Sequence, residues 1–354
     1  MTATTPVQET ALQLTAGGTR LPRWVPYAFI AGSLVVAFLV LLVVGEPTIA
    51  GVVGLGAVLY AVGLTITSRA VEGRRYAADR LATTLVTFAF LLAMIPLVSL
   101  VWTVVSYGVT RFGWDFLSTD MMGVYGSMTT GGVYHAIVGT LLVTLACAVI
   151  AVPLGILTAI YLVEYGRGAL ARGITFLVDV MTGIPSIVAG LFAFALFTLI
   201  FGPAYRAGIM GAVALAVLMT PVVIRSVEEM LRLVPNELRE ASLALGVPKW
   251  LTIVKVVLPT SMAGIVTGVM LAVARVIGET APLLLTIGLV NSVNWDLFDG
   301  RMATLPVFAY RQWAQGGTGV DRAWAAALTL IIIVMLLNLA ARLVSRWFSP
   351  KKAR

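Results

Sequence analysis

The chain has 354 residues, of which 60% are hydrophobic and only 11% are charged, and its formal net charge is +8. About a quarter of the residues of a soluble globular protein are charged, so this composition excludes a soluble domain. The basic residues lie in short clusters between apolar runs, a pattern that sets orientation in membranes and argues against nucleic-acid binding. A single Cys and a single His exclude a disulfide framework and a cysteine-based metal site. The prediction is therefore an all-α polytopic membrane protein with no metal site.

The apolar segments follow a polar tail at 1–24, and each is long enough to cross a bilayer, which takes about 20 residues. Most Lys and Arg residues fall on the side that holds both termini if the chain has eight spans. The positive-inside rule then puts both termini in the cytoplasm, with long outer loops at 107–134 and 289–322. The eight predicted spans are 25–44, 48–67, 83–106, 135–162, 174–201, 208–226, 262–288 and 323–346.

The cytoplasmic loop 225–259 carries the clearest local pattern. Helical spacing runs from Glu237 to Leu245 and stops at Gly246, a residue suited to the left-handed end of a helix. Pro248 prevents continuation, and a second amphipathic run then leads into the next span. The loop is predicted to place a short helix across the membrane face, where it can receive a push from a soluble partner and pass it to two spans.

The same loop resembles the EAA motif of ABC-importer permeases. Glu240-Ala241-Ser242 is followed after three residues by Gly246 and after nine more by Val256-Val257-Leu258-Pro259. Ser242 and Val256 stand where the motif usually has Ala and Ile. In that family the motif forms the coupling helix that docks in a cleft of the ATPase subunit. The resemblance therefore implies an ATPase-coupling site formed by Glu240, Ala241, Ser242, Gly246, Leu258 and Pro259.

A wider resemblance covers about 83–348. VPNELREASLALGVPKW, GVMLAVARVIGETAPLLL, GIPSIVAGLF and AWAAALTLIIIVMLLNLAARLV are similar to the phosphate-specific permeases of the PstA type. The resemblance implies a six-helix, type I ABC-importer permease domain at 83–348 that imports phosphate by alternating access across a bacterial cell membrane. The helices at 25–67 lie outside it and are predicted to form an accessory membrane hairpin, and 349–354 forms a basic cytoplasmic tail.

The chain contains no G-x-x-x-x-G-K-[ST] loop, the phosphate-cradling motif of ATPases. We therefore expect a transport subunit that is not an enzyme and binds no cofactor, with ATP and Mg²⁺ held by a separate chain. The family implies three kinds of partner besides membrane lipid: a cytoplasmic ATPase dimer, a homologous second permease and an extracytoplasmic phosphate-binding protein.

Charged residues inside the predicted spans are candidates for the translocation path. Arg275 and Glu279 lie near the middle of span 262–288, where each ion costs at least about 2.5–3.5 kcal/mol. Four residues apart on one helix, they are expected to share a face, to pair and to point into the bundle. A guanidinium suits an oxyanion because its planar fork donates paired hydrogen bonds. The alternative for this pair is a purely structural bridge between helices.

A second charged group lies at the inner end of span 208–226. Arg225 and Glu228 repeat the Arg–Glu theme there, on the translocation path or as charges that reach the membrane interface. Asp179, near the inner end of its own span, is expected to pair with Arg172.

Three other functions stay open at this point. A permease for molybdate or sulfate would differ only in its anion, since the charges alone indicate an anion and not which one. A secondary transporter or channel would need no EAA-type loop. A membrane enzyme would need a cluster of nucleophiles, metal ligands or paired acids, which the sequence does not show.

Overall fold

The computed structural model describes residues 20–125 and 128–348, and every regular element in those ranges is helical. The predicted tails therefore lie largely outside the described residues, namely 1–19 at one end and 349–354 at the other. The chain divides into two compact units, Met1–Val101 and Trp102–Arg354. Within the described ranges, seven helices are long and apolar enough to cross a membrane, and a bent pair of shorter helices supplies an eighth.

The first unit contains a hairpin of two spans and the start of a third. Helix α1 (Val25–Val44) turns through Gly45–Thr48 into α2 (Ile49–Val71), and α3 (Arg74–Gly108) follows. The Thr48 side chain caps α2 by accepting a hydrogen bond from the Gly51 amide at 3.2 Å, which satisfies a free donor at the helix start. The predicted hairpin at 25–67 therefore exists as two paired helices, while its accessory role stays a prediction.

Glu72 is the polar centre of this unit and was not singled out in the sequence. Its carboxylate accepts hydrogen bonds from Leu21 N, Ser68 Oγ and Arg80 Nε, each at 2.7 Å. Only 2% of the Glu72 side chain is exposed. The hydrogen bonds from Arg80 lower the pKa of Glu72 from 4.5 to about 2, although its burial acts in the opposite direction. The α2–α3 turn is thus tied to the segment that precedes α1.

The second unit contains the remaining helices. In chain order the elements are α4 (Trp114–Ser118), α5 (Tyr134–Ile160), π1 (Tyr161–Tyr165), α6 (Gly168–Thr182), α7 (Ser186–Phe201), α8 (Gly208–Arg232), α9 (Asn236–Ala244), α10 (Lys249–Thr252), π2 (Ile253–Val257), α11 (Leu258–Val276), α12 (Ala281–Thr286), α13 (Leu305–Gln315) and α14 (Thr318–Phe348). Two of these segments are π-helical: π1 continues α5, and π2 lies between α10 and α11 without a break.

Helix α8 forms the centre of this unit and is the most buried of its spans. It packs along α5 through small residues: a Cβ on Gly155 would lie 2.6 Å from Val223 Cγ1. Further along the same contact, Cys147 Sγ lies 3.6 Å from Met219 Sδ. Such close approach of two backbones is the usual way in which helices associate in lipid, where no hydrophobic force drives them together.

The predicted span 174–201 consists of two helices, α6 and α7, bent by 109°. Pro185 explains the break, because it has no amide hydrogen and disfavours helical geometry in the residue before it. The two ends of this bent pair nevertheless lie at opposite ends of the bundle, as expected for a broken span. Glu164, just before α6, contacts the loop that contains α9, whereas Ile209, at the start of α8, bonds to Leu297 beyond the far end of the bundle. The pair therefore counts as one span, which agrees with the predicted total of eight.

The predicted span 262–288 also differs in shape. A continuous helical stretch runs from Lys249 to Val276 through α10, π2 and α11, so Pro259 lies in the first turn of α11 and does not end a helix. Because the stretch is continuous, Pro259 removes one backbone hydrogen bond from it, at the junction where the π-helical segment π2 meets α11. The helix then stops, residues 277–280 are non-helical, and α12 resumes at Ala281.

Candidate functional site: a coupling helix and a broken membrane helix

The helix α9 lies at the inner ends of α8 and of the α10–α11 stretch, as the loop pattern predicted. It starts after Pro235, with Glu237 in its first turn, where a negative charge favours the helix dipole. It ends in a pair of hydrogen bonds, Gly246 N to Leu243 O at 2.9 Å and Val247 N to Ser242 O at 3.3 Å. This Schellman arrangement needs a left-handed residue at its centre, and Gly246 has φ +78°.

Ser242, the departure from the usual EAA alanine, has a structural partner. Its Oγ lies 2.9 Å from Thr252 Oγ1, and both side chains are buried. A buried hydroxyl without a partner would cost about 1–3 kcal/mol. The Ser–Thr hydrogen bond therefore holds α9 against α10.

Arg239 joins α9 to two other elements. Its guanidinium donates to Leu231 O at 2.9 Å and to Val234 O at 2.5 Å, both at the carboxyl end of α8. The same side chain forms an ion pair of 2.9 Å with Glu164 in π1, and the Arg239 and Glu164 side chains are only 16% and 7% exposed. Lys249, at the start of α10, also donates to the backbone carbonyl of Glu164.

This clamp, defined as Arg239 with Glu164, was missed in the sequence. Its two residues are 75 positions apart, and Glu164 sits at the end of an apolar run with no local motif. The clamp connects the coupling helix to α5, which is not one of the two spans that flank the loop. Single-turn π-helical segments such as the one that holds Glu164 often occur at functional positions.

The surface around α9 presents three leucines beside the exposed carboxylates of Glu237 and Glu240. Leu245 is 83% exposed, and Leu238 and Leu243 are exposed as well. Exposed apolar patches next to polar residues mark interaction sites. Of the six predicted coupling residues, Glu240, Ala241, Gly246 and Pro259 are exposed, Leu258 is half-buried and Ser242 is buried.

The depth of Arg275 follows from the packing of α11 on α8. A Cβ on Gly268 would lie 2.6 Å from Ser226 Cβ, which aligns these two residues. Seven residues further, about 10 Å along the helix axis, Arg275 lies level with Met219, about midway along α8. Beyond the break, a Cβ on Gly211 would lie 2.5 Å from Ile287 Cγ2, so the segment that contains α12 continues along the outer half of α8. Arg275 is thus level with the middle of α8, and α11 ends there.

The predicted Arg275–Glu279 pair is wrong. Arg275 is in the last turn of α11 and Glu279 is in the non-helical segment, so the two no longer share a helix face. Within the described chain, neither side chain takes part in a hydrogen bond or an ion pair, and Arg275 is exposed instead of facing the interior of this bundle. The carboxyl end of a helix favours a cation, which partly stabilises Arg275. The role of both residues on the translocation path stays a prediction.

Arg225 and Glu228 do come together. Arg225 donates to Glu228 at 2.9 Å and to Asp179 on α6, and Arg232 donates to the other oxygen of Glu228. Glu228 is 5% exposed, so its charge is buried and paired on both sides. The predicted Asp179–Arg172 pair is therefore replaced by Asp179–Arg225. This network links α6 to α8, and a place for it on the translocation path is a further prediction.

The bundle, its exposed coupling helix and its break at mid-membrane define a permease of an ABC importer. The family of binding-protein-dependent transport system inner membrane components matches residues 151–354. A bacterial alginate ABC transporter, solved with an alginate-bound periplasmic protein, shares the fold: its chain superposes with a TM-score of 0.54 over 78% of this chain and 97% of that one, at 15% identity.

The names of similar proteins identify the kind of permease more closely. Phosphate transport system permease protein PstA 1 of Mycobacterium tuberculosis H37Rv is 50% identical over 285 residues, 79% of this chain and 91% of that protein. The PstA proteins of Mycobacterium leprae and Pasteurella multocida are 49% and 37% identical over 275 residues each, which covers 77% and 76% of this chain and 90% and 95% of theirs. The chain belongs to the PstA family of phosphate transport system permeases.

Proposed function

We propose that this chain is the membrane permease subunit of an ATP-driven importer of inorganic phosphate. The relatives that bear that function in their names cover more than three quarters of the chain at up to half identity. The chain is a multi-pass membrane protein of a family that works with an ATPase and a binding protein. We further propose two ATPase copies that hold ATP and Mg²⁺, a homologous second permease and an extracytoplasmic phosphate-binding protein. We also propose that both termini lie in the cytoplasm.

The observation that carries the proposal is the unpaired guanidinium at the break in α11. Arg275 is exposed from this bundle at mid-membrane depth. A cation that faces lipid there would cost at least about 2.5–3.5 kcal/mol, so the face that bears Arg275 meets protein or water. Non-helical backbone at this depth occurs only where it is covered by protein or lines a cavity. A path between this chain and the second permease meets both conditions and offers the guanidinium to the anion.

The coupling helix supplies the second half of the mechanism. ATP-driven closure of the ATPase dimer displaces α9, which its capping bonds and Arg239 hold as a rigid element. The displacement reaches α8 and the α10–α11 stretch directly, and it reaches α5 through Glu164. Because α11 ends at the break, movement of its inner half alters the surroundings of Arg275 while α12 stays packed on the outer half of α8. This coupling produces alternating access at the anion site.

The test is phosphate uptake by the complete complex in proteoliposomes with Arg275→Gln, Arg275→Lys and Glu279→Gln. A charge-assisted hydrogen bond contributes about 1.5–3 kcal/mol, so Arg275→Gln is expected to lower uptake at least about ten-fold without loss of assembly. Arg275→Lys should retain only part of the phosphate uptake, because an ammonium lacks the planar fork of a guanidinium. Arg311→Gln, an exposed arginine on α13, is the matched control. Near-normal uptake by Arg275→Gln would refute the path.

Competition experiments in the same vesicles show which anion is transported. Excess sulfate or molybdate should leave labelled phosphate uptake unchanged, whereas a permease for either of them would lose it. Uptake that persists without the ATPase subunit would instead identify a secondary transporter.

A further inference from the structure

A polar cavity of about 560 Å³ lies at the opposite end of the second unit from the coupling helix. It is bounded by the turn between α13 and α14, by Asn291 and by the segment around Tyr125. All of these belong to the two long loops that the charge distribution places outside the cell. The cavity therefore opens toward the side from which an imported anion arrives, at a distance from Arg275.

The wall of the cavity contains a buried arginine without a carboxylate partner. Arg322, in the first turns of α14, is only 2% exposed. Its Nε donates to Gln312 Oε1 at 2.8 Å, and its Nη1 donates to Met128 O at 2.9 Å and to Thr130 O at 3.2 Å. All three acceptors are neutral. Among the described residues, Nη2 has no acceptor and no carboxylate forms an ion pair with this guanidinium.

A buried charge needs compensation, because an unpaired ion in a protein interior costs several kcal/mol. Further donors face the same cavity: Gln312 has committed its oxygen to Arg322 and keeps its amide hydrogens, and the amides of Gln315 and Asn291 also line the wall. The cavity lies beside the amino end of the long helix α14, where the helix dipole favours negative charge. The lining therefore offers several neutral donors, and its charged group is a cation.

We propose that this cavity binds a small tetrahedral oxyanion before the anion enters the membrane path. The guanidinium supplies the charge and two free N–H groups, and the side-chain amides supply neutral donors, a combination that suits phosphate. The inference rests on the proposed function for the identity of the anion, and it adds a receiving site on this chain at the outer mouth. The site would hold phosphate after its release from the binding protein and limit its escape.

The test measures binding of labelled inorganic phosphate by equilibrium dialysis. It uses the complete complex in nanodiscs, without the binding protein and in an Arg275→Gln background that removes the path site. Arg322→Gln should weaken binding at least about ten-fold, because it removes a charge-assisted bond. Gln315→Leu should weaken binding about two- to ten-fold, because it removes one neutral donor without touching the contacts of Arg322. Arg311→Gln, whose side chain does not line the cavity, should bind like its parent.

The outcomes separate this site from its alternatives. If Arg322 only holds the loop around Met128 and Thr130, then Arg322→Gln disrupts assembly while Gln315→Leu and Asn291→Leu bind phosphate normally, and the proposal is overturned. Absence of phosphate binding in the Arg275→Gln complex, when the parent complex with its binding protein imports phosphate, also overturns it and leaves the proposed function intact. Binding and uptake of sulfate in place of phosphate would instead reject the proposed function and keep an oxyanion site.

Discussion

The clamp between Arg239 and Glu164 allows a direct test of how force leaves the coupling helix. We consider Arg239→Met, which keeps the length of the aliphatic stem and removes every hydrogen bond of the guanidinium. The Glu164 carboxylate, 7% exposed, then loses its ion-pair partner. Breaking a buried pair from one side costs about 3–5 kcal/mol, and the lower end applies here because Lys249 remains close to the same segment.

A loss of about 3 kcal/mol shifts the equilibrium between the attached and detached positions of α9 by more than about a hundred-fold. The ATPase still has a helix to hold, so hydrolysis continues, but α5 no longer follows it. We therefore expect the ratio of phosphate imported to ATP hydrolysed to fall at least several-fold. Glu164→Gln should act in the same direction but more weakly, by about 1 kcal/mol, because an amide oxygen still accepts from Arg239.

The assay measures phosphate uptake and ATP hydrolysis in the same proteoliposomes, together with thermal stability of the complex. Lys255→Gln is the control, since Lys255 is exposed on π2 and forms no hydrogen bond or ion pair in the described chain. In the double variant Arg239→Met/Glu164→Met, stability should recover because two apolar side chains replace a buried pair. Transport should remain uncoupled. Normal coupling in Arg239→Met, or full recovery of coupling in the double variant, would refute the reasoning.

Three further predictions follow from other parts of the chain. Gly246→Val should uncouple hydrolysis from uptake, because a β-branched residue at φ +78° is strained by at least about 1–2 kcal/mol. Gly246→Asn should retain coupling, and equal activity of the two variants would exclude the capping role. Deletion of 1–67 should leave ATP-driven uptake in place, and a stable complex without uptake would contradict the accessory role of the hairpin. Glu72, whose pKa is lowered to about 2, stabilises the fold fully above its ordinary pKa of 4.5 and less as the pH falls toward 2. The difference in melting temperature between the parent and Glu72→Gln should therefore shrink over that interval, and a constant difference would contradict it.

The membrane spans could be predicted from the sequence because length and apolarity alone decide which helices fit a bilayer. The stop at Gly246 was also predictable, since it depends on a local backbone conformation that glycine adopts most easily. The breaks at Pro185 and at 277–280 were missed, although Gly278 and Pro282 gave a signal for the second. Hydropathy over a window of residues does not detect the loss of a few hydrogen bonds within an apolar run.

The two ion pairs that were predicted wrongly both rested on spacing along the sequence. Pairing Arg275 with Glu279 assumed an unbroken helix, and pairing Asp179 with Arg172 assumed that a charge binds its nearest neighbour along the chain. The structure joins Asp179 instead to Arg225 on another span. Sequence spacing predicts such pairs only within one intact helix, where four residues bring two side chains together.

The arrangement of paired and unpaired arginines separates two tasks within one fold. Arg225 and Arg239, near the cytoplasmic face, are held by carboxylates. Arg275 and Arg322, at mid-membrane and at the outer mouth, have no carboxylate partner among the described residues. A paired arginine connects helices firmly and is suited to transmitting displacement, but its charge is already neutralised and has little attraction for an anion. An arginine without a carboxylate keeps its charge available, as the anion sites proposed at Arg275 and Arg322 require.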